Sequence, residues 1–275
     1  MGLVINHNMM AMATMRNLGM TYGALAESIN ALSSGLRINS ADDDAAGLAV
    51  REVLRVQIAA VGQGIRNAND AINMIQTFDG AAGVIDEKLV RMKELAMQSA
   101  TGTYNDAQRA IMQDEFAAMR DEIDRIANAT AFNGITGLAS ASNSIKIHFG
   151  AGNSSIADYY RVQTQDITSS GLGIASLSIA GQHSAQTALT AIDSAVATKD
   201  TARAHFGAMI NRLGNTISNL EIQRENVQAA ESQISDVDVA WEMSNLTRNM
   251  VMAQAGIAML AQANQMPMLL TSLLG

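Results

Sequence analysis

Apolar residues recur along most of this chain at alternating spacings of four and three. That period fits helices meeting partners along a seam and excludes an alternating strand. Near the N-terminus the series is Leu18, Tyr22, Leu25, Ile29, Leu32 and Leu36. Gly35 and Asn39-Ser40 interrupt it, and Asp42-Asp43-Asp44 follows. The spacing then predicts a second helix over about residues 44–100, with Leu54, Ile58, Val61, Ile65, Ala68, Ile72 and Ile75 on one stripe. A phase slip is expected near Phe78-Asp79-Gly80, after which Ala82, Ile85, Leu89 and Met92 resume the seam. At 1.5 Å per residue this helix is about 85 Å long, a length that suits rods better than globular domains.

Thr101-Gly102-Thr103 reads as a turn, with Thr103 or Asn105 as the N-cap of a third helix. Met112, Phe116, Met119, Ile123 and Ile126 form its stripe, and the short loop predicts antiparallel packing on the second helix. From about 131 to 182 the pattern changes to Gly, Ser, Asn and Thr. Within it Ile145, Ile147 and Phe149 alternate with Lys146 and His148, and Tyr160, Val162 and Thr164 alternate again. Gly150 to Asn153 supplies a turn between them, so a small β-hairpin is expected near 140–180, capping one end of the helices. A fourth helix over about 185–232 carries Leu189, Ile192, Val196, Phe206, Ile210, Leu213, Ile217, Leu220 and Val227. Ser235 and Asp238 resemble a capping box before a last helix bearing Val239, Met243, Leu246, Met250, Ala253, Ile257 and Leu260. The expected fold is mainly α: a long antiparallel helical rod or coiled coil built from both chain ends, with a small β-hairpin region in the middle. The expected division is terminal helices 1–40 and 236–275, and a rod domain 41–235.

Composition supports this. Only 4% of residues are aromatic against 48% hydrophobic, and 18 methionines can fill irregular helical interfaces. There is one proline, Pro267; long helices exclude it because it lacks an N–H and clashes with the preceding turn. There are no cysteines, so disulfides and thiolate sites are excluded. A net charge of -8 without clustered Lys and Arg argues against a nucleic-acid partner. The first fifteen residues lack the cationic region of a secretory signal, so an export route that reads no such signal is expected. Gln254, Gln262, Asn264 and Gln265 break the uncharged run after Arg248, so no membrane insertion is expected.

The two ends share one property. Residues 1–26 carry a single charge, Arg16, and none follows Arg248. Chain ends are usually polar and frayed. Two apolar helical ends on an acidic chain seek partners, and a repeated contact that does not close into a ring makes a filament. An ordinary four-helix bundle with adhesive ends is the alternative on pattern alone.

Chemistry-bearing motifs do not assemble. Asp42-Asp43-Asp44 suits capping of a helix start better than a metal site, which needs further oxygen ligands at loop spacing. His7, His148, His183 and His205 are scattered without zinc spacing. Gly171-Leu172-Gly173 lacks the third glycine of a dinucleotide loop, and no G-x-S-x-G elbow occurs. No cofactor, no metal and no enzymatic activity are expected.

The run Ser33-Ser34-Gly35-Leu36-Arg37-Ile38-Asn39-Ser40-Ala41-Asp42-Asp43-Asp44-Ala45-Ala46-Gly47-Leu48-Ala49 resembles the N-terminal signature of bacterial flagellins. Met92 to Ala100, Glu122 to Ala127 and Phe132-Asn133-Gly134 resemble later blocks of that family. Asn211-Arg212-Leu213, Ala230-Glu231-Ser232, Glu242-Met243 and Ala258 to Gln265 resemble its C-terminal block. The resemblance covers about 1–135 and 185–275, in order. Trp241, Val237, and Met266 and Met268 around Pro267 depart from common choices there.

The resemblance implies a structural subunit of the flagellar filament, in a short form without a large outer domain. It implies self-assembly of the two ends into a helical homopolymer, with Leu18, Leu25, Ile29, Leu32, Leu36, Leu246, Met250, Ile257 and Leu260 in the assembly core. It implies export through the flagellar type III apparatus, an export chaperone, contact with cap and hook-junction proteins, and a place in the secreted filament. In members recognised by Toll-like receptor 5, an Arg and a Leu on the second helix and a Glu on the third form the receptor surface; Arg91, Leu95 and Glu115 match them. The hook–filament junction protein is the alternative within the same class.

Overall fold

The computed structural model describes residues 7–141 and 143–274, with side chains described as far as Met266. Five helices carry the chain: α1 (Met9–Ser34), α2 (Ala45–Ala100), α3 (Asp106–Ala129), α4 (Gln182–Ser235) and α5 (Val239–Leu274). Two hairpins separate α3 from α4: β1 (Ala131–Phe132) with β2 (Ile135–Thr136), and β3 (Ser144–His148) with β4 (Tyr159–Gln163). Pro267 falls within α5, and the expectation for Met268 lies outside the described side chains. The chain forms two compact units, 1–57 with 226–275, and 58–225. They part inside α2 and α4. The expected limits at 40 and 236 fall instead in the loops that flank those helices.

In the unit 58–225, α2, α3 and α4 share one core. Phe78, Phe116, Phe206, Ile75, Ile85, Leu89, Met92 and Ile123 are almost fully buried there. Ion pairs fix the antiparallel register of α2 on α4. Arg203 grips both Asp79 oxygens at 2.8 and 3.3 Å, and Lys199 donates to Asp86 at 2.5 Å. The helix α2 runs unbroken through the expected phase slip, and Phe78 is a core residue 6.4 Å from the Phe206 ring. Ala71, Met74 and Ile75 are all buried just before it, so the stripe changes phase without breaking the helix.

Arg109 closes the α2–α3 turn. It is 8% exposed and donates to the Ser99 and Thr101 carbonyls, which end α2 without helical partners. Asn105 caps α3 in a reciprocal box with Gln108. The dipeptide Asn133-Gly134 turns β1 into β2 with φ of 50° and 78°, as a tight hairpin turn requires. After β4 the chain runs back along α3. Asp124 accepts from the Ser169 amide and hydroxyl, both at 2.7 Å, and Gln113 accepts from the Ile179 amide. Ile167, Leu172, Ile174 and Ile179 fill the core beneath.

The β3–β4 hairpin buries Ile147 and Val162 and leaves Lys146 and Arg161 exposed, as alternation requires. It lies on the flank of α2 and α4. Asn67 donates to the His148 carbonyl, Tyr160 bonds Thr216, and Arg212 stacks 3.7 Å above the Tyr160 ring. Gly64 permits this approach: a Cβ there would sit 1.9 Å from the Phe149 carbonyl oxygen.

Two predictions follow from these contacts. Gly64→Ala gains helix propensity but forces the hairpin backbone away, a net loss of about 1–2 kcal/mol. Gly80→Ala, in the same helix with open space around it, gains about 0.5–1 kcal/mol. Urea unfolding of the two variants checks the opposite signs. Lys199 is 2% exposed; burial pushes its ammonium down, and Asp200 and Asp86 more than offset this, so its pKa is raised. A raised pKa stabilises the fold below the ordinary lysine value of 10.5 and loses that contribution as pH rises through the folded value. Lys199→Met removes the hydrogen bonds to Asp86 and Asp200 and costs about 2 kcal/mol at neutral pH. The gap to the parent, followed by thermal melting, narrows above pH 10.5.

Candidate self-assembly surface and candidate recognition pair

The unit 1–57 with 226–275 is built on α1 against α5. Asn8 caps α1, accepting from the Ala11 amide, and donates its own amide to the Ala263 carbonyl at 2.7 Å. Further along, a Cβ on Gly256 would meet Leu18 Cδ1 at 3.0 Å. At the other end Leu36 bridges Asp236, Arg37 donates to the Ser235 and Ile234 carbonyls, and the Val237 amide donates to the Gly35 carbonyl. These contacts define one antiparallel register. Ala11, Ser28 and Ala31 on α1 and Ala253 and Ala263 on α5 are buried, so small residues draw the backbones together.

Gly35, at φ 74°, ends α1 in the left-handed conformation that glycine tolerates. Leu36 therefore leaves the helical seam on which the spacing put it and sits half-buried in the loop. Arg51 steadies this loop by donating to the Ile38 carbonyl at 2.7 Å. Of the three aspartates, Asp44 caps α2 and Asp43 braces the loop before it. Asp43 accepts from the Ser40 and Asn39 amides, which hold its carboxyl below the usual carboxylate range, and Asp44 accepts from the Gly47 amide at α2. Among the described residues no group of three or more His, Asp or Glu is placed to hold a metal. Among them, too, no helix is long and apolar enough to cross a membrane.

The residues expected in an assembly core fall into two sets. Leu18, Leu25, Leu32, Leu246 and Leu260 are half-buried, and Leu18 lies against Gly256. Ile29, Met250 and Ile257 are exposed at 50%, 48% and 51%. They share their outward surfaces with Met9, Met12, Met15, Met20 and Tyr22 on α1 and with Trp241, Val251, Met252 and Met259 on α5. So much exposed apolar surface on two nearly uncharged helices marks an interaction site. Spacing did not separate the two sets, because apolar residues are spread around the circumference of α5 and no single stripe marks the buried side.

In the other unit, Arg91 on α2 donates to Glu115 on α3 at 2.8 Å and to Glu94 at 2.9 Å. Hydrogen bonds to Glu94 and Glu115 raise the Arg91 guanidinium above the ordinary arginine range. Both members of the interhelix pair are close to half exposed. Leu95 is 1% exposed and belongs to the core. Four residues turn a helix by about 40° beyond one full circle, which carries the chain here from flank to interior. The structure thus joins Arg91 and Glu115 at the surface and sets Leu95 beneath it.

Comparison with known proteins completes the picture. The model of the bacterial flagellin N-terminal helical region matches residues 5–143, and that of the bacterial flagellin C-terminal helical region matches 189–274. A flagellin of Halalkalibacterium halodurans is 41% identical over 272 residues, which is 99% of this chain and 100% of that protein. A flagellin of Bacillus subtilis is 40% identical, covering 96% of this chain and 97% of that one. The flagellar filament 31.3 kDa core protein of Treponema maltophilum is 39% identical, covering 95% and 96%. The crystal structure of Bacillus cereus flagellin aligns with a TM-score of 0.50 at 32% identity, over 60% of this chain and 94% of that chain. A putative flagellar hook-associated protein of Vibrio parahaemolyticus shares the fold, with a TM-score of 0.58 over 70% and 100%, but only 15% of its sequence. With both family regions matched in order and relatives aligned along nearly the whole length, this chain belongs to the bacterial flagellin family.

Proposed function

We propose that the chain is the structural subunit of a secreted bacterial flagellar filament, and that polymerisation runs through the outward faces of α1 and α5. The observation that carries this reading is the exposure of Ile29, Met250 and Ile257 on helices with few charges to keep them in water. Copies of the same pair can cover those faces, and a contact between unlike surfaces that repeats without closing yields a helical polymer. Leu18, Leu25, Leu32, Leu246 and Leu260 hold the pair together within the subunit, and Leu36 steadies its loop. The role is mechanical, a propeller subunit for motility, rather than catalytic.

Identity near 40% to flagellins and a filament core protein along nearly the full length favours the filament over the hook–filament junction. Export through the flagellar type III apparatus, a chaperone on the C-terminal segment, and meetings with cap and hook-junction proteins accompany this reading. For a vertebrate Toll-like receptor 5, the accessible feature is the Arg91–Glu115 pair. Leu95 would act by packing beneath it.

Seeded elongation tests the assembly face. Met250→Glu with Ile257→Glu places two carboxylates where neighbouring copies would bury them, at a cost of at least about 3 kcal/mol, or about a hundredfold in critical concentration. Helix content measured by circular dichroism stays at the parent level, because neither side chain lies in the seam. Normal elongation by the double variant would contradict the assignment.

A further inference from the structure

Methionine is distributed unevenly between the two units. In 58–225, Met74, Met92, Met112 and Met209 are buried in the core, and Met97 is exposed at 60%. On α1 and α5, every described methionine faces outward: Met9, Met10, Met12, Met15 and Met20 on one, and Met243, Met250, Met252, Met259 and Met266 on the other. Their exposures run from 38% to 67%. The seam itself takes Ala, Ser, Gly and Leu instead. With no cysteine in the chain, these thioethers and that of Met97 are its most accessible sulfur atoms.

We propose that these ten methionines are a reversible oxidation site that controls polymerisation while leaving the subunit folded. The inference rests on the reading of α1 and α5 as the assembly face. A peroxide is the oxidant. The sulfur attacks one peroxide oxygen, the O–O bond breaks, an S–O bond forms, and water leaves; sulfur loses two electrons and the peroxide gains them. The resulting sulfoxide is a polar acceptor on what was an apolar contact. Burying it against another subunit without a donor weakens elongation by about tenfold or more for each such contact. The α1–α5 seam contains none of the ten, so its packing is untouched. In a grown filament the same sulfurs are covered, and the reaction slows.

The test treats full-length monomer with hydrogen peroxide and maps sulfoxides by peptide mass spectrometry. Seeded elongation and circular dichroism follow. The expected result is oxidation of the α1 and α5 methionines, elongation lowered at least about tenfold, and unchanged helix content. Reduction by a peptide-methionine sulfoxide reductase then restores growth. With all ten changed to Leu, the ratio of elongation after peroxide to elongation before it stays near one, and filaments grown before treatment oxidise more slowly at these positions than monomer does. Undiminished elongation of the oxidised monomer, or loss of helix content at the same dose, overturns the proposal. Failure of untreated monomer to elongate sinks the filament reading itself and this inference with it.

Discussion

The antiparallel seam between α1 and α5 is the contact on which the rest of the account depends. It is narrow, because Ala11, Ser28, Ala31, Ala253, Gly256 and Ala263 bring two backbones close over little side-chain surface. A narrow seam can hide only one strip of each helix. Both helices are apolar well beyond that strip, so the pair holds together yet leaves most of its oily surface in water. An isolated pair of this kind is incomplete in an energetic sense. Copies of itself are the simplest cover, and flagellin kinship gives that cover its biological form.

The unit 58–225 solves the opposite problem. Its three helices and the segment along α3 bury one continuous core, and charged residues keep the outer faces soluble. Lys199, Arg203 and Arg109 fix register where apolar packing alone would let helices slide. Arg109 and Asn105 satisfy helix ends at the α2–α3 turn, and Asp124 holds the returning chain. Such a unit is complete by itself.

The helices were legible in the sequence because spacings of four and three encode a helical face directly. The capping role of Asp44 and the β3–β4 alternation were legible for equally local reasons. The phase shift near Phe78 was legible too, but the pairing of Phe78 with Phe206 was not, because only the position of α4 brings the two rings together. Nor could spacing show that Arg109 and Lys199 lie inside, since their partners come from carbonyls and carboxylates remote in sequence or across a turn. The β1–β2 hairpin carried a readable signal in Asn133-Gly134, yet two-residue strands offer no periodicity. At the assembly face, spacing put Leu18 and Ile257 on the same footing. Their different exposures follow from the register of α1 on α5, a tertiary fact. Leu95 moved from a recognition surface to the core for a similar reason: i and i+4 share a face only approximately.

If α1 and α5 assemble as proposed, the outward face of α5 becomes buried between subunits. The absence of native cysteine allows a direct measurement: maleimide labelling of single variants Ile257→Cys and Ile156→Cys, in monomer and in grown filament. Ile257 and Ile156 are 51% and 88% exposed in the subunit, so both variants should label readily as monomers. Labelling at 257 should fall at least about a hundredfold in the filament, as protection by a well-packed interface requires, while 156 stays reactive. Equal labelling at 257 in monomer and filament would show that polymerisation runs through another surface.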